Sequence, residues 1–88
     1  MQNDINAINN LAIIYLDQKK YDKSLYLFEK AYDLGSKRAA YFLGDIYFKG
    51  LYGQAQDKIK GVKLIKESLE AGINEANQYL YLINNEIY

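Results

Sequence analysis

The chain has no cysteine, no histidine, no proline and no tryptophan. Without cysteine there are neither disulfides nor thiolate ligands for zinc. Without histidine, Ser-His-Asp triads and Cys-His dyads cannot be assembled. Long apolar runs are scarce too: the longest, LAIIYL at 11–16, falls far short of the roughly 20 residues needed to span a bilayer. The opening MQNDINAINN, which starts at methionine, has neither the basic stretch nor the apolar stretch of a secretory signal. Net charge is also missing, with 11 basic residues against 11 acidic. Disordered chains pair low apolarity with high net charge, whereas half of these residues are hydrophobic. The expectation is a single small globular domain over 1–88, cytoplasmic and not membrane-associated. A chain of this size buries only about two-thirds of its unfolded surface, so its core is thin and any uncovered apolar patch matters.

What is present is tyrosine, 10 in all, and a helical rhythm. Ile8, Leu11, Ala12 and Tyr15 fall at i, i+3, i+4 and i+7, and Ala40, Leu43, Gly44 and Tyr47 repeat that spacing. No stretch alternates with the period of two that a half-buried strand requires. Gly35, Gly50, Gly53 and Gly72 mark turns, because glycine tolerates the positive φ that ends helices. Five helices are predicted, over about 4–17, 21–34, 37–48, 57–71 and 74–86. Their connections are short except at 49–56, which makes consecutive helices antiparallel neighbours.

The chain also repeats itself. Leu11-Ala12-x-x-Tyr15 returns as Leu43-Gly44-x-x-Tyr47. In the following helices Ser24, Leu25, Leu27, Phe28, Ala31, Gly35 and Ala39 match Gly61, Val62, Leu64, Ile65, Ser68, Gly72 and Ala76. Small residues stay small and apolar ones stay apolar. Ala39 and Ala76 each open a further helix of the first type, and the last departs from pattern at Tyr81 and Asn84, as a terminal solenoid unit does. Ala12, Gly44, Ser24, Ala31, Gly61 and Ser68 let helices approach closely, and Leu11, Tyr15, Phe28, Leu43, Tyr47 and Ile65 are expected to fill the space between them.

The second unit, Ala39, Leu43-Gly44-x-x-Tyr47, Gly50, Gly53, Asp57-x-x-Lys60-Gly61 and Gly72-x-x-x-Ala76, resembles the Sel1-like repeats, relatives of the tetratricopeptide repeats. The first unit is similar to a plain tetratricopeptide hairpin, with Ser36 where those repeats favour proline. The resemblance implies an all-α fold: a short right-handed α-solenoid of two antiparallel helix-turn-helix repeats, about 5–36 and 37–73, plus a capping helix at about 74–86. It also implies an interaction scaffold with no catalytic activity and no cofactor.

In stacked hairpins the first helices line the concave wall. Taking the hairpin stripe as buried, the wall is expected to show Asn6, Asn9, Ile13, Leu16 and Asp17, then Arg38, Tyr41, Asp45, Phe48 and Lys49, then Gln78, Leu82 and Asn85. Aromatic anchors with a polar rim suit a protein partner, and Tyr41 and Phe48 are the expected anchors. The plainer alternative is apolar surface that a thin protein simply leaves uncovered. All the basic residues lie within 19–66, eleven bases against five acids, while the flanks carry six acids and no base. Lys58, Lys60, Lys63 and Lys66 form a stripe that could meet nucleic acid, but zero net charge and a pI near 6.2 favour a solvated face.

Catalysis has little footing. Glu67 with Glu70, or Asp17 with Asp45, would need burial to split their pKa values. Gly50-Leu51-Tyr52-Gly53 lacks the lysine of a phosphate loop, and no calcium-loop pattern occurs. The expected function is therefore a non-catalytic module that binds another protein, as an adaptor or as a small inhibitor of the immunity type. Nucleic-acid binding and structural homo-oligomerisation are the alternatives, and Leu80, Ile83 and Ile87 could form the edge of a weak homodimer.

Overall fold

The computed structural model describes residues 4–88; the first three positions of the opening segment lie outside them. Four helices of equal length come first: α1 (Ile5–Asp17), α2 (Tyr21–Asp33), α3 (Lys37–Lys49) and α4 (Lys58–Glu70). Three begin at a side-chain cap that satisfies amides left free in the first turn. Asp4 accepts from the amides of Asn6 and Ala7 at 3.0 and 3.3 Å, Ser36 from that of Ala39 at 3.0 Å, and Asp57 from that of Lys60 at 3.0 Å. The fifth expected helix is different. Asn74–Tyr79 winds as a 3₁₀ helix and only Leu80–Asn84 (α5) is α-helical. Two asparagines of low helix propensity and a start at Ile73 without a capping side chain favour the tighter turn.

One turn ends every helix. A residue with positive φ follows the last turn, and the next amide bonds to a carbonyl five residues back. The positive-φ residue is Gly35 after α2, Gly50 after α3 and Gly72 after α4. After α1 it is Lys19 (φ 62°), with Lys20 N donating to the Tyr15 carbonyl at 2.8 Å, and after α5 it is Glu86 (φ 52°). The glycines announced three of these ends; Lys19 and Glu86 adopt the same conformation without that advantage.

Each hairpin crosses where its residues are smallest. In the first, Ala12 and Ser24 are fully buried and Ser24 Oγ donates to the Ala12 carbonyl at 2.7 Å. In the second, the corresponding residues are Gly44 and Gly61. A methyl on Gly61 would lie 2.7 Å from the Phe48 amide nitrogen, and one on Gly44 the same distance from Ile65 Cγ1. The result is an all-helical solenoid, with no strand among the described residues. One core cluster joins α1, α2, α3 and α4 around Ala12, Phe28, Ala40, Leu43 and Leu64. A second joins Tyr41 and Ile65 to Ala76 and Tyr79 of the terminal segment. The longer 50–57 loop folds back on the first repeat, where Tyr52 stacks on Tyr21 with ring centroids 4.4 Å apart.

The core differs from expectation at one residue. Leu43 is 3% exposed, but Leu11, its counterpart in the first repeat, is 41% exposed. Tyr15 and Tyr47 are both half-buried.

Candidate interaction surface

The expected concave residues of α3 do not form an open wall. The terminal segment lies against them, and each has a partner there. Arg38 Nη2 pairs with Glu75 Oε2 at 2.8 Å, and Gln78 Nε2 donates to Tyr41 Oη at 2.5 Å. The Tyr79 hydroxyl donates to Asp45, and the Phe48 ring meets the Tyr79 ring edge-on at 5.4 Å. Lys49 lies 5.8 Å from the centroid of the Tyr79 ring and also bonds back to Asp45 at 3.2 Å. Tyr41 is buried and Phe48 half-buried, so neither stands free as an anchor, which corrects the expectation from the sequence. The reason is geometric. A first helix packs both on its own hairpin partner and on the first-type segment of the next unit, so it has two buried stripes where the hairpin alone requires one.

The equivalent seam between α1 and the start of α3 takes part of α1. Asn9, in the register of Tyr41, is 4% exposed and donates through Nδ2 to Ser36 Oγ at 2.8 Å, so it too is removed from the expected surface. Ile13 and Leu16 lean on the first core cluster. Solvent still reaches Asn6, Asp17, Arg38, Lys49, Gln78 and Asn85 freely, and Ile13, Asp45, Phe48 and Leu82 in part. The seam also governs the tyrosine hydroxyls. Burial, and then the Asp45 carboxylate that accepts its proton, push Tyr79 far above the ordinary tyrosine value. Burial raises Tyr41 too, helped by Asp45 and Glu75. Tyr32 is raised by its hydrogen bond to Glu67.

The lysine stripe on α4 is interleaved with other chemistry. Lys60 lies over the Tyr47 ring, 4.1 Å from its centroid, while Lys63 and Lys66 share a shallow depression with Ile59, Val62, Glu67, Glu70 and Tyr88. Glu67 accepts from the Tyr32 hydroxyl at 2.9 Å and pairs with Lys37 at 3.7 Å. Among the described residues no group of three or more acidic side chains gathers to hold a metal ion, and no helix is long and apolar enough to cross a membrane. At the terminal end Leu80 and Ile87 are exposed, whereas Ile83 packs into the second cluster.

A surface the sequence reading missed lies at the other end. Leu11, Tyr15, Asp22, Lys23, Tyr26 and Leu27 line a shallow depression of roughly 380 Å³ across α1 and α2. Leu11, and Ile14 one turn further along α1, are 41% and 49% exposed, against 3% and 2% for Leu43 and Ile46 in the second repeat. Lys20 and Lys23 lie 5.9 and 5.6 Å from the centroid of the Tyr15 ring. The signal was available: the repeat register assigns these positions to contact with a preceding helix, and the first repeat has none among the described residues.

Compared with known proteins, the chain matches one family model, described as Sel1 repeat, twice in succession, over residues 5–36 and 37–73. No curated protein and no solved structure matches it.

Proposed function

Because the chain belongs to the Sel1 repeat family, whose repeats generally mediate protein–protein interaction, we propose that it is a binding module for one partner protein, acting as an adaptor or a small inhibitor. The observation that carries this reading is that two successive repeats of this kind account for residues 5–73. The family itself is a non-catalytic interaction module. The partner lies along the concave edge at the residues the seam leaves accessible: Ile13, Asp17, Asp45, Phe48, Lys49 and Leu82. Half-exposed apolar groups beside charges of both signs supply a small apolar centre with a polar rim. The lysines of α4 remain a solvated convex face, with Lys60 held on Tyr47 and acidic neighbours beside Lys63 and Lys66.

Site-directed photocrosslinking tests this. A photoreactive side chain at Asp17 or Lys49 is expected to capture one defined protein from native lysate, while the same group at Lys58 or Lys63 captures none. Nuclease-sensitive adducts from the α4 positions, with nothing from Asp17 or Lys49, would overturn the proposal in favour of nucleic acid.

A further inference from the structure

The two repeats share one register, yet among the described residues only the second has its outer face covered. Ala7, Leu11, Ile14 and Tyr15 of α1 correspond to Ala39, Leu43, Ile46 and Tyr47 of α3, and Lys23 and Leu27 of α2 correspond to Lys60 and Leu64 of α4. In the second repeat these residues receive α2. Ala39, Leu43, Ile46 and Leu64 are all buried, and Glu29, Tyr32 and Asp33 of α2 lie across Leu43, Tyr47, Lys60 and Leu64. Tyr47 Oη donates to Glu29 Oε2 at 3.2 Å, with the Lys60 ammonium over the Tyr47 ring. The acceptor face is therefore an apolar strip carrying a tyrosine hydroxyl and a lysine, and its occupant is a helix that brings a carboxylate to that pair.

The first repeat presents the same strip, the same tyrosine and the same lysine to solvent. Lys23 and Asp22 line it, and Lys20 joins Lys23 beside the Tyr15 ring, so the charge next to the tyrosine is basic. We propose that this face, formed by Leu11, Ile14 and Tyr15 with Lys23 and Leu27, docks one acidic amphipathic helix of a partner protein, seated as α2 is seated on the second repeat. The proposal rests on the reading of the chain as a protein-binding module and specifies the chemistry of what one end of it takes. The helix carries the pattern of Phe28-Glu29-x-x-Tyr32-Asp33 in α2: an apolar residue against Leu11 and Leu27, and an acid next to it that accepts from the Tyr15 hydroxyl beside Lys23. Apolar contact supplies the affinity, and the carboxylate fixes register and excludes basic helices.

The chain's own α2 is the probe. A fluorescent peptide of residues 21–34, stapled into a helix away from Phe28, Glu29 and Tyr32, is titrated with the full-length protein and followed by fluorescence anisotropy. Saturable binding is expected, weakened at least about tenfold by Leu11→Glu or Lys23→Glu in the protein and by Glu29→Lys in the peptide. The Lys23→Glu protein is expected to recover part of its affinity for the Glu29→Lys peptide, which a merely sticky apolar surface would not do. Leu11 and Lys23 are exposed, so these variants keep their melting temperature; Leu11→Gln replaces Leu11→Glu if that one does not. Absence of saturation near millimolar protein overturns the proposal, as does binding indifferent to all three changes. Light scattering that shows a wild-type dimer and a Leu11→Glu monomer also overturns it, by giving the face to a second copy. None of these results bears on crosslinking from Asp17 and Lys49, so the module reading stands or falls separately.

Discussion

Gly44 and Gly61 face each other where α3 crosses α4, and the two differ in what surrounds them. A methyl on Gly44 meets the Ile65 side chain at 2.7 Å and backbone atoms (Gly61 O, Ile65 N) only at 3.0 Å, whereas one on Gly61 meets the backbone nitrogen and Cα of Phe48, and its Cβ, at 2.7–2.8 Å. A side chain can rotate away and a helix backbone cannot. Gly61→Ala is therefore expected to destabilise more than Gly44→Ala, within the overpacking range of about 1–3 kcal/mol, and thermal melting followed by circular dichroism ranks the two. A Gly61→Ala protein that melts like the wild type would mean that the helices do not cross there. Tyr79 makes a second prediction at this scale. Its folded-state pKa is raised, so the neutral hydroxyl is the form that the fold favours. That contribution is complete below the unfolded tyrosine value of about 10 and is lost as pH rises beyond it. Melting temperatures measured from pH 8 to 11 are expected to fall above about pH 10, and to fall less steeply in Tyr79→Phe, which has no proton to lose. Equal slopes in the two proteins would show that Tyr79 is not the group responsible.

Helix ends are where element and residue choice disagree. The turn after α1 needs a residue in the left-handed region and has Lys19, whereas the equivalent positions after α2 and α4 have Gly35 and Gly72. A non-glycine residue there costs about 1–2 kcal/mol, part of which glycine returns as chain entropy. Lys19→Gly is expected to raise the melting temperature by several degrees, since about 1 kcal/mol moves a domain of this size by 4–8 °C. A lower melting temperature would show that the lysine side chain contributes more than its backbone costs.

Over the whole molecule, the terminal segment decides what the solenoid exposes. It closes the second core cluster by laying Ala76 and Tyr79 on Tyr41 and Ile65. Truncating a buried aromatic to alanine costs about 3–5 kcal/mol, against a total stability of about 5–15 kcal/mol for a small domain. Tyr41→Ala combined with Phe48→Ala is thus expected to abolish cooperative melting. Tyr41→Phe, which keeps the ring and loses only the bond to Gln78, is expected to cost about 1 kcal/mol. A double variant with a normal melting curve would free both residues for the surface and restore them as anchors.

The helices, their repeat and their crossings were legible in the chain's own residues, because each is set within a few residues or by a fixed offset. The Leu-small-x-x-Tyr period, the turn glycines Gly35, Gly50 and Gly72 and the pair Gly44 and Gly61 could be placed without knowing any distant neighbour. Local signals were weaker at Lys19, where no glycine marks the turn, and at Asn74–Tyr79, where asparagines carry the helical period but relax into a 3₁₀ helix. Which faces are covered depends on how the elements come together. Tyr41 and Asn9 look like surface on a helical wheel and are buried by elements 27 or more residues away. Leu11 has the same local pattern as Leu43 and is exposed. Burial depends on whether another helix lies alongside, and a periodic pattern says that a helix has a face to cover without saying what covers it.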